Sequence, residues 1–390
     1  MKKITLFLFC FLAFNFFFTS CTEPMALQTN TFEEILVVES ILTDELKQHE
    51  IKITKTYKFE ESGPKAVLNA LVYIKDDSGN IYPFYYDDGK YISQQPFQAL
   101  SGRKYQLYIT AENKTYSSTL EKLPTQTPIG EVTPTLTTKE GVKGLDIYVK
   151  SYDPTNTSKY YRYEYEETYR VEAPYWSSQK AIVTGPQSID INYRDSEARV
   201  CYKTDNSTDI ILINTNNQSE DRINSPIRFI SDKNPIITHR YSILVKQYVQ
   251  NSATHTYYKT LKEISGSEGT LSQNQPGFLY GNLKCESDPN TKIIGLFDVS
   301  SVSEKRIFFN FRDYFPTEDI PPYFYKCEEF FMLFCFGTSP ECVGFDIIYY
   351  LNSNQIAYFR GTKPRLYFVD TPCGDCTSFS SNIKPSFWID

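Results

Sequence analysis

The segment YYRYEYEETYRV at 160–171 puts Tyr161, Tyr163, Tyr165 and Glu167 on one side of an extended chain, with charges between them on the other. A period of two is the geometry of a strand, whose successive side chains point to opposite faces. The same alternation recurs at short intervals, and it constrains the fold more than any other feature. Ile51 and Ile53 alternate with Lys52 and Thr54; Ala70, Val72 and Ile74 alternate, as do Tyr105, Leu107 and Ile109. ILVVESIL (35–42) reads as a buried strand. Turn chemistry separates these runs: DDSGN (76–80), the Asp87, Asp88, Gly89 triplet and AENK (111–114). The chain holds 31 Tyr and 28 Phe, residues that suit pleated, half-buried surfaces. The Tyr are spread along the chain, so the plainer reading is that they fill sheet faces with ring inward and hydroxyl outward. The alternative is an aromatic binding surface.

Short strands at regular spacing with no helix between them predict a β-sandwich over 35–124. LPTQTPIG (123–130), with two prolines and a glycine, reads as the boundary to a larger domain over 125–390. There, strands are expected at 145–149, 160–171, 198–203, 209–213, 235–249, 278–283, 292–299 and 306–312. One helix is expected at about 252–265. Ser252 would cap it, Ala253, Tyr257, Leu261 and Ile264 would share a face, and Gly266 and Gly269 would end it. The expected class is mainly β, a sandwich followed by a larger β-rich domain with one embedded helix.

The first 20 residues, MKKITLFLFCFLAFNFFFTS, have the order of a secretory signal: Lys2 and Lys3, an apolar run from Ile4 to Phe18, then small Thr19 and Ser20. They lead into Cys21, as in a bacterial lipobox. The reading is a signal peptide at 1–20, lipidation at Cys21 and a polar tether at 21–34. The apolar run is shorter than the roughly 20 residues a membrane span needs. Acyl chains contribute about 0.8 kcal/mol per buried CH₂, enough for a multiply acylated Cys to stay in a bilayer. Without Lys2 and Lys3, Lys+Arg falls from 40 to 38 against 47 acids, a net charge of −9. Such a balance argues against a nucleic-acid partner.

An exported chain meets an oxidising compartment, where disulfides are the default. Beyond Cys21 stand Cys201, Cys285, Cys327, Cys335, Cys342, Cys373 and Cys376, an odd set that leaves a thiol over. Cys327, Cys335, Cys342, Cys373 and Cys376 crowd the C-terminal end and are the disulfide candidates, with connectivity open. Cys373 and Cys376 have the spacing of a redox or zinc pair. A position between Pro372 and a Ser-rich tail favours a structural disulfide over zinc or redox chemistry.

The sequence carries no other motif of a known catalytic or metal-binding kind. His49, His239 and His255 show no ligand spacing. A zinc-protease helix opening at His49 and Glu50 needs a second His at 53, where Ile53 stands. Neither G-x-S-x-G nor a phosphate-binding loop occurs. SGSEG (265–269) has the wrong order for a nucleophile elbow. The acidic turns at 76–80 and 286–290 could hold calcium, though Asp and Asn serve turns anyway. No cofactor and no metal site is expected. FFMLFCF (330–336) is the most apolar run after the leader. Its plainer reading is a strand buried on both faces; the alternative is a contact surface. On aromatic density, Tyr323, Phe324, Tyr325, Phe330 and Phe331 are the candidate partner surface.

These residues together resemble a family of Bacteroidota lipoproteins, domain of unknown function 4249. The resemblance is carried by the lipobox at Cys21, VVESILTDE (37–45), ALVYIKDDSGN (70–80), the Gly89/Tyr91 and Tyr105/Leu107 elements, YYRYEYEET (160–168) and RYSILVKQY (240–248). TYYKTLKEIS (256–265), QPGFLYGNL (275–283), IIGLFDVSSV (293–302) and the closing CGDC and KPSFW segments (373–388) complete it. Leu296 departs from it, standing where an aromatic residue is usual. The resemblance implies an outer-membrane lipoprotein, often encoded beside a TonB-dependent receptor, with an immunoglobulin-like or prealbumin-like first domain. It carries over no catalytic residue and no ligand.

The expectation is a non-enzymatic accessory or partner of a TonB-dependent receptor in nutrient uptake. It would be lipid-anchored at the outer membrane, on the cell surface rather than the periplasmic face. Glu23 is the one acid close behind Cys21 that bears on orientation. The alternatives are a free-standing surface protein that binds a glycan or peptide, a structural or adhesive component, and a hydrolase built from dispersed acids.

Overall fold

The computed structural model describes residues 33–58, 60–266 and 279–390. The signal segment, Cys21, Gly269 and the start of QPGFLYGNL lie outside the described residues. The chain opens with β1 (Leu36–Thr43), β2 (Glu50–Lys55), β3 (Lys65–Ala66), β4 (Leu71–Asp76), β5 (Ile81–Asp87), β6 (Lys90–Ser93), β7 (Lys104–Ala111), β8 (Lys114–Ser118) and β9 (Glu121–Lys122). There follow β10 (Ile129–Lys139), β11 (Val142–Asp153), β12 (Tyr160–Glu172), the hairpin β13 (Gln179–Gly185) and β14 (Ser188–Tyr193), β15 (Val200–Asn206), β16 (Ile211–Asn214), β17 (Asp221–Ser231) and β18 (Arg240–Gln250). Helix α1 (Ser252–Gly266) leads to β19 (Leu283–Cys285), β20 (Ile293–Asn310), α2 (Phe311–Tyr314) and β21 (Phe330–Leu333). The chain closes with α3 (Gly344–Asn352), β22 (Ile356–Thr362), β23 (Arg365–Asp370) and α4 (Thr371–Gly374). The protein is mainly β, as its alternation predicts.

β20 is the spine. Its first half runs parallel to β1, Leu36 opposite Ile293 through Thr43 opposite Ser300. Its second half runs antiparallel to β18, Val249 opposite Ser301 through Arg240 opposite Asn310. One sheet therefore continues in the order β15-β12-β18-β20-β1-β2-β6-β5-β4-β7-β8-β19. The segments 292–299 and 306–312, expected as two strands, are this single strand. The polar SSVSEK stretch between them breaks the apolar pattern without breaking the ladder.

Two main cores follow from alternation. In the first, Val38, Ile51, Val72, Leu107 and Ile109 meet Phe297 and Val299 of β20. Burying each such side chain fully stabilises by about 1.5–3 kcal/mol. The strands from 36 to 122 thus do not complete their sheet alone; β19 and β20 return from far along the chain to finish it. In the second core, Leu145, Ile147 and Val149 of the three-stranded sheet β10-β11-β17 pack on Tyr161, Tyr163, Ile243 and Val245. Tyr161, Tyr163, Tyr165 and Glu167 share the buried face of β12, as expected. A third core, around Ile347, Leu366, Phe368 and Ile189, joins α3 and β21-β23-β22 to the β13–β14 hairpin.

Several local expectations need correction. The helix at 252–266 is capped by Asn251, whose Oδ1 accepts the Thr254 N–H at 2.8 Å, not by Ser252. Its most buried residues are Thr254 and His255, and Ala253 is exposed. It is not the only helix: α2, α3 and α4 also form. Strand β18 begins at Arg240, because Pro235–Ile237 winds into a 3₁₀ turn. The strand expected at 278–283 is described only as Leu283–Cys285. FFMLFCF is not a strand buried on both faces. Only Phe330–Leu333 is extended, at one side of the sheet β21-β23-β22, with Phe330 and Met332 on the third core, Phe331 exposed and Leu333 half-buried.

Candidate functional site

The outer face of the central sheet carries the densest polar chemistry. Alternation in β12 that turns tyrosines inward turns Arg162, Glu164 and Glu166 outward. Helix α1 covers part of this face. The Arg162 guanidinium lies between the rings of Tyr248 and Tyr258, 4.2 and 4.7 Å from their centroids. Desolvated cation–π contacts of this kind are worth about 2 kcal/mol. Arg162 also pairs with Glu164, which accepts the Tyr248 hydroxyl at 2.9 Å. Asp298 is wholly buried nearby and accepts from Gln250 Nε2 at 2.9 Å and Ser300 Oγ at 2.5 Å. Burial pushes its carboxyl above the usual range, against the pull of Arg162. These groups fix α1 to the sheet.

A cavity of about 470 Å³ opens on one flank of α1 and one of about 550 Å³ on the other. Tyr257 and Leu296 line both. The first adds Tyr258, Leu261, the cross-strand pair Glu39 and Lys52, and Glu50 and Lys47, giving aromatic walls and two charges of each sign. That lining suits a ligand with a flat apolar face and polar edges. Leu296, singled out as an unusual residue, is thus a wall shared by both cavities. The sequence signal for the groove was only the helix itself.

His49 lies under the first cavity. Its ring N–H at Nε2 reaches the Phe97 carbonyl at 2.9 Å, and Nδ1 has no partner among the described residues. Burial pushes its pKa down to about 4, so the ring is neutral at pH 7. His239 and His255 lie elsewhere. Among the described residues no three His, Cys, Asp or Glu gather as a metal site. The acidic turns satisfy themselves: Asp76 takes the Ser78 and Asn80 N–H groups, and Asp288 takes the Asn290 N–H and the Thr291 hydroxyl.

All five candidate cysteines are in disulfides, but Cys373 and Cys376 do not bond to each other. Cys373 joins Cys327, Cys376 joins Cys201, and Cys335 joins Cys342. Cys201 on β15 was not among the candidates, since its partner lies 175 residues away. Cys285 is free and buried.

The candidate partner surface divides. Tyr323 and Phe324 pack against the second core, and Phe330 against the third. Tyr325 and Phe331 stand out, 44% and 49% exposed. The helical pattern of α3 adds two residues missed in the sequence, Phe345 and Tyr349, four apart on its outer face and 60% and 63% exposed. No described helix is long and apolar enough to cross a membrane.

A family model described as "Domain of unknown function (DUF4249)" matches residues 22–306. No curated protein matches the chain.

Proposed function

We propose that this chain, which belongs to the family of domain of unknown function 4249, is a lipoprotein of the Bacteroidota that assists a TonB-dependent receptor at the outer membrane without catalysing a reaction. Cys21 carries the lipids, and the protein faces the cell surface. The observation that supports this reading best is the C-terminal lobe. It presents Phe331, Phe345 and Tyr349 outward on a frame tied by three disulfides. Exposed aromatic anchors on rigid supports are what protein interfaces use. Deleting the gene and measuring uptake through the receptor encoded beside it tests the reading. Uptake falls if the protein assists the receptor; unchanged uptake contradicts it.

The groove beside α1 favours a second reading, capture of a glycan or peptide by the lipoprotein itself. Tyr257 and Tyr258 would stack on the ligand and Glu39 and Lys52 would orient it. A ligand that binds only the folded state raises the melting temperature. A thermal-shift screen of oligosaccharides and peptides, repeated with Tyr257→Ala, tests it.

A further inference from the structure

Of the four charged side chains that line the first cavity beside α1, two are already satisfied. Lys47 pairs with Glu45 at 2.5 Å, and Glu50 pairs with Lys90 at 2.6 Å. Glu39 and Lys52 have no ion pair and no hydrogen bond among the described residues. They stand directly opposite each other on β1 and β2, both exposed on the face away from the first core. Such partners lie about 4.5–5.5 Å apart at Cα with their side chains on one face, yet these two charged ends do not meet.

The rest of the wall is aromatic and held in place. The Arg162 guanidinium lies against the rings of Tyr248 and Tyr258, and Glu164 holds Arg162. Tyr257 meets Tyr258 edge-on, with ring centroids 5.9 Å apart. Burial, and then the charge of Glu39, push the Tyr257 hydroxyl up, which puts the carboxylate beside that ring. A neutral ligand filling this space strips water from Glu39 and Lys52 and returns no charge to either. A ligand with a single charge satisfies one and strands the other. The second cavity differs, because its one charged residue, Glu121, already accepts from Asn251 and Asn282.

We infer that the first cavity binds a short zwitterionic peptide by both of its free ends, the ammonium on Glu39 and the carboxylate on Lys52. An apolar side chain of the peptide packs on Tyr257, Tyr258 and Leu261. This deepens the second reading above and rests on the groove beside α1 being a ligand site. Consecutive Cα atoms are about 3.8 Å apart, so the two ends of a dipeptide reach across one cross-strand pair. The volume of about 470 Å³ lies within the range of roughly 300–1,000 Å³ found for small-molecule sites. Walls fixed before binding leave little ordering to be done by the ligand.

The test is titration calorimetry of the full chain in detergent with phenylalanyl-leucine, its N-acetyl form, its C-terminal amide and the neutral trisaccharide maltotriose. The free dipeptide binds. Each blocking group removes one charged hydrogen bond and weakens binding about tenfold or more. Glu39→Gln binds the free and acetylated forms alike and still rejects the amide. Lys52→Gln binds the free peptide and the amide alike and still rejects the acetylated form. Both side chains are exposed, and unchanged melting without ligand shows that both variants fold. A general loss of packing does not produce this crossed pattern. Equal binding of free and blocked peptides by the unaltered protein overturns the proposal, as does discrimination that survives in both variants. Maltotriose binding that Tyr257→Ala removes, with no binding of the dipeptide, overturns the proposal and keeps the groove as a ligand site. If none of the four compounds binds, the groove reading falls with it.

Discussion

The side chain of Asn282 closes the first sandwich by pairing with the backbone of Phe297. Its Oδ1 accepts the Phe297 N–H at 2.8 Å and its Nδ2 donates to the Phe297 carbonyl at 2.9 Å. A side-chain amide here does what a neighbouring strand would do. It sits just before β19, at the far end of the sheet, and docks on β20 in the middle of it. Asn282→Ala leaves the Phe297 backbone groups unpaired and costs about 1–3 kcal/mol. Urea unfolding measures it, and Asn282→Asp, which cannot donate, recovers only part of the loss.

The same closure requires glycines. A Cβ on Gly281 would lie 1.5 Å from the Gly295 carbonyl oxygen, and one on Gly295 would lie 2.0 Å from the Val38 carbonyl oxygen. Gly295 also has φ +132, a conformation closed to most side chains. Gly295→Ala destabilises by about 2–3 kcal/mol or more, as strained and overpacked sites do. Gly89→Ala is the control: its φ is also positive, but nothing lies within 4 Å of an added Cβ. Its smaller loss measures backbone strain alone.

Stability falls with acid in a window set by His49. Its folded pKa of about 4 lies below the ordinary 6.5. The unfolded chain binds a proton that the folded one refuses, so stability is intact above pH 6.5 and declines as pH drops toward 4. The full swing is about 3 kcal/mol. Asp298 acts oppositely, since its raised pKa is relieved by protonation. The difference between wild type and His49→Gln isolates the histidine. Unfolding free energies from pH 4.5 to 7 show a shallower slope in the variant.

Removing the Cys201–Cys376 bond takes away the covalent tie between the C-terminal tail and β15, where Tyr202 and Ser381 still pair through their backbones. Loss of a native disulfide typically costs about 2–5 kcal/mol. A Cys201→Ser, Cys376→Ser double variant melts earlier by that equivalent, measured by calorimetry without reductant. Cys285→Ser shifts the melt by the same amount with and without reductant, since that thiol is in no disulfide.

The parts of this fold written in local periodicity were legible in the sequence. β1, β2, β4, β7, β12 and β18 follow from alternation, and α1 from its 3.6-residue pattern. What depends on distant partners was not. The parallel pairing of β1 with β20 joins segments more than two hundred residues apart, and neither segment signals the other. The β13–β14 hairpin was missed because its residues are half-exposed and alternate weakly. GFDIIYYLN hides a short helix whose exposed Phe345 and Tyr349 become visible only once the period is known. The groove at α1 joins Glu39, Tyr257 and Leu296 from three separate stretches, so no motif could announce it.

The most direct test of the central claim is recovery of the tagged protein from outer membranes in mild detergent, with mass spectrometry of its companions. The account predicts a TonB-dependent barrel in stoichiometric amount, lost when Phe331 and Tyr349 are both changed to Ala. Recovery of the protein alone from intact membranes would contradict it.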